Sequence, residues 1–128
     1  ELLPQAEILI LGLPLSPETR GLFGAAELAL LPDDALVVNV GRGPLVDTEA
    51  LVAELTAGRL RAALDVTDPE PLPADHPLWS LPNALITPHA GGDSTAMLPR
   101  MVDLIRRQIE RLRAGETPEN IVLGEWAE

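Results

Sequence analysis

The stretch that decides the fold is ALVVNVGRGPLVD, residues 35–47. Its first part, residues 35–40, is a continuous aliphatic run, which is typical of a β-strand buried on both faces of a parallel sheet. The glycines of Gly41-Arg42-Gly43 favour a turn directly after this strand. Asp47 then stands where a helix N-cap is expected, and Gly58 marks the expected end of that helix. The stretch therefore predicts a strand, a turn and a helix in succession.

The same alternation continues on both sides of this unit. Further aliphatic runs predict strands at residues 7–13, 60–66 and 84–87, and helical patterns predict helices at 24–31 and from about Thr95 to Ala114. Between the last two strands, residues 67–82 carry five prolines and are predicted to form a long loop. A short docking strand is considered at residues 121–123. Strands that alternate with helices imply an α/β fold with a parallel sheet.

Composition excludes several classes of function. The 128 residues include 20 acidic and 9 basic side chains, which gives a net charge of -11, and every cation is an arginine. A nucleic-acid partner is not expected, because binding phosphates requires a basic face. Cysteine is absent, which rules out disulfides, thiolate metal sites and a cysteine nucleophile. No run approaches the roughly 20 apolar residues of a membrane span, so no membrane partner is expected. We expect a cytoplasmic protein, and we predict no metal site.

The residues that could carry chemistry follow the predicted strands. Ligands bind at the carboxyl ends of the strands in parallel sheets, and these ends carry Leu13-Pro14, Gly41-Arg42-Gly43, Asp65 and His89. Arg42 offers a planar fork that matches a carboxylate, although most arginines cover surface or form weak ion pairs. His89 precedes a Gly91-Gly92 turn and is a candidate acid/base, with a structural role as the alternative.

Glu70 lies in the proline-rich sequence DPEPLP, residues 68–73. Alone it would be an ordinary exposed acid, but beside His89 its carboxylate would fix the tautomer of the imidazole. A base, an orienting carboxylate and Arg42 together suit a substrate that has a carboxylate next to a carbonyl or hydroxyl. Because none of these groups accepts a hydride, redox chemistry on such a substrate would need a cofactor.

The Gly41-Arg42-Gly43 sequence also imitates the start of a dinucleotide-binding fingerprint, with Asp65 about 22 residues further on. The third glycine of that fingerprint would fall at Val46, whose side chain would obstruct the packing of helix on strand. Arg42 also stands where a pyrophosphate needs bare backbone amides. We therefore disfavour a pyrophosphate site here, and the alternative is that the glycines only turn the chain.

Several stretches, in this order, resemble the signatures of D-isomer-specific 2-hydroxyacid dehydrogenases. They are PLSPETRGL (14–22), NVGRGPLVD (39–47), ALDVTDPEPLP (63–73) followed by DHPLW (75–79), and ITPHAGG (86–92). The resemblance implies a Rossmann-like, doubly wound parallel half-domain with a C-terminal crossover helix. It implies that residues 1–93 are the carboxyl-terminal half of a nicotinamide-dinucleotide-binding domain. Residues 94–128 would be the crossover helix and tail, which belong to the substrate domain.

The resemblance also implies roles for individual residues. Arg42 would bind the substrate, His89 would be the acid/base and Glu70 would support His89. Contacts with NAD or NADP are implied at Leu13, Pro14, Val40, Gly41, Arg42, Asp65, His89, Ala90, Gly91 and Gly92. For Asp65 a second interpretation is that its carboxylate caps the following loop.

The implied activity is hydride transfer between a nicotinamide cofactor and a D-2-hydroxy acid or 2-oxo acid, similar to that of glyoxylate/hydroxypyruvate reductases. The full-length protein is expected to be a homodimer. The glycine-rich fingerprint and the start of the substrate domain are missing, so we expect the isolated chain to be inactive and to expose an apolar sheet edge. Two alternatives stay open: a cofactor-sensing module similar to the corepressors with this fold, and a self-contained acidic α/β domain.

Overall fold

The computed structural model describes residues 2–121, and the chain divides into two compact units, residues 1–91 and 92–128. The first unit contains a four-stranded sheet in the order β1-β2-β3-β4, in which all neighbouring strands are parallel. The strands are β1 (Ile8–Leu11), β2 (Leu36–Asn39), β3 (Arg61–Leu64) and β4 (Ala84–Ile86), and the helices are α1 (Ala25–Leu28), α2 (Thr48–Thr56) and, in the second unit, α3 (Met97–Arg113).

The predicted parallel α/β fold is confirmed, with shorter elements than the sequence indicated. All four predicted strands are present, and Asp47 caps α2 by accepting a hydrogen bond from the backbone N–H of Ala50 at 3.0 Å. The helix predicted at residues 24–31 is a single turn, followed by tighter turns up to Leu31. It cannot continue regularly beyond Leu31 because Pro32 lacks a backbone donor. The docking strand considered at residues 121–123 falls largely outside the described residues.

The core of the first unit lies between one face of the sheet and the helices α1 and α2. Val37 on β2 and Leu64 on β3 pack there with Leu28 of α1 and Leu55 of α2, all of them buried. Side chains alternate between the two faces of a strand, so the intervening residues point to the opposite face.

That opposite face is also apolar. Strand register aligns Ile10, Val38, Ala63 and Leu85 in one row across the sheet. Ile10 and Leu85, at the two ends of the row, are 66% and 63% exposed within the described chain. The expected apolar surface is therefore present both along the edge strand β1 and across this face.

Arg59 connects α2 to the segment that follows α1. Its guanidinium donates to Glu54 Oε2 at 2.6 Å and to the backbone carbonyls of Leu28 and Leu31 at 2.6 and 2.8 Å. The hydrogen bond to Glu54 raises the pKa of Arg59, and the negative charges of Glu54 and Asp33 add to this effect. Arg59 thus supplies a donor to the carbonyl of Leu31 and a second donor to the carbonyl of Leu28, which also accepts from the N–H of Leu31.

The second unit is built on α3. Pro99 lies in its first turn, where a missing N–H costs nothing, and Gly115 follows the helix with a φ of 71°. Gln108 holds the segment after the helix through paired hydrogen bonds with the backbone of Glu119, at 2.7 and 2.9 Å. Within residues 2–121, none of the helices combines the length and apolar content that a membrane span needs.

Candidate active site

Two of the predicted catalytic residues are in direct contact. His89 Nδ1 lies 2.7 Å from Glu70 Oε1. An ionised carboxylate can only accept hydrogen bonds. Nδ1 therefore carries a proton and donates a hydrogen bond to Glu70. Nε2 is consequently the ring nitrogen left to exchange a proton with a ligand. Both side chains are a little under half exposed, so a ligand can reach them.

The loop that carries Glu70 is fastened to the neighbouring segments. Thr48, at the start of α2, donates its hydroxyl to the carbonyl of Asp68 at 2.8 Å, and Thr67 donates to Pro69 at 2.9 Å. Gly43 approaches the same loop so closely that a Cβ at this position would lie 1.9 Å from the carbonyl oxygen of Thr67. Contact with protein backbone therefore explains why position 43 is a glycine, and no pyrophosphate is required.

The turn that carries His89 is held by Asp65, which follows β3. The Asp65 carboxylate accepts hydrogen bonds from Thr87 Oγ1 at 2.5 Å and from the backbone N–H groups of Ala90 and Gly91 at 3.0 and 2.7 Å. The hydrogen bond from Thr87 is the largest cause of a lowered pKa of Asp65, followed by that from Gly91, with smaller contributions from Ala90 and the nearby imidazole. The loop-capping interpretation of Asp65 matches these contacts, and its contact with a cofactor stays a prediction.

Arg42 lies at the end of β2, on a turn shaped by Asn39. The side chain of Asn39 is buried, accepts from the N–H of Gly41 at 3.1 Å and donates to the carbonyl of Arg42 at 3.0 Å. Arg42 is exposed, and its guanidinium donates to the carbonyl of Gly41 at 2.7 Å. No hydrogen bond within residues 2–121 joins Arg42 to His89.

Arg42 and His89 nevertheless lie at the same edge of the sheet. Only β3 separates the strands that precede them, which corresponds to about 10 Å, or two interstrand spacings.

The candidate cofactor residues of the first unit follow the carboxyl ends of its strands. Leu13 and Val40 are about half exposed and present apolar surface on which a flat ring could pack, which fits a nicotinamide. Gly41 is in close contact with the end of β1, because a Cβ there would lie 2.8 Å from the carbonyl oxygen of Leu13. Pro14 follows Leu13 in the chain. The backbone N–H groups of Ala90 and Gly91 donate to Asp65 as described above, and Gly92 begins the second unit.

A cavity of about 280 Å³ adjoins the His89–Glu70 pair. Its apolar walls are formed by Leu72, Trp79 and Ile86. A larger cleft of about 420 Å³ lies beside the start of α2 and contains none of the predicted site residues. Among residues 2–121 no cluster of side chains has the composition of a metal site.

Sequence reasoning missed two residues that shape the site, Asn39 and Thr87. A polar residue inside the aliphatic run VVNV was the available signal for Asn39, because a buried amide needs hydrogen-bond partners. For Thr87 the sequence offers no comparable signal, since its partner Asp65 is 22 positions away. His76, in the proline-rich segment between β3 and β4, accepts a hydrogen bond from the N–H of Leu78 at 3.3 Å.

Parallel βα units with polar side chains gathered at the carboxyl edge of the sheet define a Rossmann-type nucleotide-binding domain. Residues 1–91 match the family described as D-isomer specific 2-hydroxyacid dehydrogenase, NAD binding domain, and the chain belongs to this family.

Individual relatives agree with this assignment. The chain is 41% identical over 119 residues to glyoxylate/hydroxypyruvate reductase B of Citrobacter koseri, covering 86% of this chain and 37% of that protein. It is similar in structure to a D-isomer specific 2-hydroxyacid dehydrogenase from Xanthobacter autotrophicus Py2 in complex with NADPH, with a TM-score of 0.84 and 44% identity. The match covers 95% of this chain and 52% of that protein. The D-lactate dehydrogenase of Lactobacillus jensenii with NAD+ gives a TM-score of 0.85, 29% identity and coverage of 96% and 41%. The chain thus spans between about a third and a half of these relatives' length.

Proposed function

We propose that the protein containing this chain transfers a hydride between NAD or NADP and a small D-2-hydroxy acid or 2-oxo acid. The observation that carries this proposal is the 2.7 Å contact between His89 Nδ1 and Glu70 Oε1. It orients the imidazole, fixes its tautomer and leaves Nε2 available for the oxygen on carbon 2 of the substrate.

His89, Glu70 and Arg42 have different roles in the proposed reaction. In the oxidative direction, Nε2 of His89 takes the proton of the hydroxyl group while the hydride leaves carbon 2 and the C–O bond becomes a carbonyl. In the reductive direction, the imidazolium returns the proton to the carbonyl oxygen. Glu70 stabilises the imidazolium through Nδ1, and Arg42 binds the carboxylate and polarises the oxygen on carbon 2. A bound nicotinamide cofactor supplies the hydride acceptor or donor.

The residues proposed to hold the cofactor are Leu13, Pro14, Val40, Gly41, Arg42, Asp65, His89, Ala90, Gly91 and Gly92. Leu13 and Val40 would pack against the ring, and the polar groups around Asp65 lie near the carboxyl end of β3. Structurally similar relatives have been crystallised with NADPH and with NAD+, so the proposal includes both cofactors.

Glyoxylate or hydroxypyruvate is the proposed 2-oxo acid, supported by the name of the Citrobacter koseri relative. We further propose that the isolated 128-residue chain is inactive, which is supported by the exposed apolar side chains on one face of the sheet. Assembly as a homodimer and a cytoplasmic location stay predictions.

The experiment is a turnover assay on the full-length protein that carries this chain. NADH and NADPH oxidation is followed with glyoxylate and with hydroxypyruvate, and Arg42→Ala is compared with the natural protein. We expect turnover with at least one pair and a raised KM for the oxo acid in Arg42→Ala. Binding of the nicotinamide without turnover on any 2-oxo acid would instead support the cofactor-sensing alternative.

A further inference from the structure

We propose that Thr87 and Asp65 act together as positioning residues for His89, with the Thr87 hydroxyl orienting the carboxylate that holds the turn. The inference rests on the proposed role of His89 as the acid/base. It assigns to Thr87 a function in the reaction although its side chain is directed at Asp65.

The backbone of His89 needs such support. Its φ of 55° lies in the left-handed region. Residues other than glycine seldom adopt this backbone conformation, and they keep it where surrounding contacts hold them. Asp65 supplies contacts on both sides of His89, because Thr87 lies two residues before it and Ala90 and Gly91 follow it. One carboxylate therefore bridges the two ends of the turn.

The three hydrogen bonds of the bridge require a carboxylate at position 65. Oδ1 accepts from Thr87 and from the N–H of Ala90, while Oδ2 accepts from the N–H of Gly91. An amide group has one acceptor oxygen, so its NH2 group would face the N–H of Gly91 and that hydrogen bond would be lost. Position 91 must also be small, since a Cβ there would lie 2.8 Å from Asp65 Oδ2.

The position of the turn decides whether the imidazole meets Glu70. The distance from Nδ1 to Oε1 is 2.7 Å, and a displacement of about 1 Å removes a hydrogen bond of this length. Without the bridge, His89 would leave the left-handed region and Nδ1 would lose its acceptor. Nε2 would then no longer be held toward the substrate, and proton transfer would slow.

Replacing Thr87 tests the positioning of His89 more selectively than replacing Asp65. Asp65 is itself a proposed cofactor contact, so its replacement would change two functions together. Thr87→Val removes the hydroxyl and preserves the branched shape, whereas Thr87→Ser restores the donor. Thr56→Val, at the exposed end of α2, is the matched control.

Two measurements on the full-length protein test the proposal. The first is the low-field NMR resonance of the His89 Nδ1 proton, recorded without cofactor or substrate and assigned by its loss in His89→Gln. The second is kcat together with KM for the cofactor. We expect Thr87→Val to lose the resonance and to lower kcat at saturating cofactor about tenfold to a hundredfold. Thr87→Ser should restore both, and Thr56→Val should change neither.

An unchanged resonance and unchanged kcat in folded Thr87→Val would overturn the proposal, as would a raised cofactor KM with kcat intact. If Thr87→Val does not fold, Gly91→Ala provides a second displacement of the Asp65 carboxylate with the same expected loss of the resonance, and a retained resonance there would overturn the proposal. The NMR measurement requires no turnover. Loss of the resonance in a protein that reduces no 2-oxo acid would support the positioning of His89 and refute the proposed function alone.

Discussion

Gly43 and Thr67 are in backbone contact, and a Cβ at position 43 would lie 1.9 Å from the Thr67 carbonyl oxygen. The turn that carries Arg42 and the loop that carries Glu70 therefore touch directly. This contact places Arg42, the proposed substrate-binding residue, relative to Glu70, whose carboxylate orients His89.

Gly43→Ala is expected to destabilise the protein by about 1–3 kcal/mol, because the added methyl group must displace the Thr67–Asp68 backbone. Gly12→Ala is the matched control, since no atom lies within 4 Å of a Cβ at that position. Urea unfolding of both variants measures the difference. Equal stabilities of Gly43→Ala and Gly12→Ala would contradict the assigned contact.

Asn39→Ala is expected to cost about 1–3 kcal/mol, because the N–H of Gly41 and the carbonyl of Arg42 lose a buried partner. KM for the oxo acid should also rise, since the Arg42 turn loses its support. Asn83→Ala is the control: its amide donates to the carbonyls of Leu55 and Leu60, away from the carboxyl edge. It should lower stability and leave KM unchanged, and a similar KM in the two variants would argue against a role of Asn39 in placing Arg42.

Arg59→Lys is expected to lower the free energy of unfolding by about 1.5–3 kcal/mol. A lysine keeps the charge but lacks the planar fork that reaches Glu54, Leu28 and Leu31 at once. Arg106→Lys, on the exposed surface of α3, serves as the control in the same denaturation experiment. If both lysine variants unfold alike, the fork contributes nothing beyond its charge.

The lowered pKa of Asp65 predicts a specific dependence of stability on pH. A carboxyl group whose pKa is lower in the folded than in the unfolded state stabilises the protein above its unfolded pKa, and this contribution is lost as the pH falls through the folded value. Asp65→Asn should therefore reduce Tm at neutral pH, and the difference from the natural protein should shrink in acid. A difference in Tm that stays constant down to the acid limit would contradict the assigned contacts of Asp65.

The fold could be predicted from the sequence because its signals are local. Aliphatic runs mark the four strands, and the Asp47 cap depends on a residue only three positions away. The pairing of Glu70 with His89 was implied by family resemblance, since residues 19 positions apart meet only through the folding of a long loop.

The remaining features depend on tertiary contacts that no local pattern encodes. Gly43 must be a glycine because of its contact with the backbone of Thr67, and Thr87 acts through its hydrogen bond to Asp65. Arg59 donates to two carbonyl groups of a turn that is distant in sequence. For Gly41-Arg42-Gly43, Val46 and Arg42 already argued against a pyrophosphate site. The close approaches of protein backbone at both glycines are visible only in the structure.

His89 Nε2 is proposed to transfer the proton while Glu70 holds the ring. The most direct test is kcat of His89→Gln in the full-length protein, measured as nicotinamide oxidation with glyoxylate or hydroxypyruvate at saturating cofactor. We expect kcat to fall about a hundredfold or more. Turnover close to that of the natural protein would contradict it.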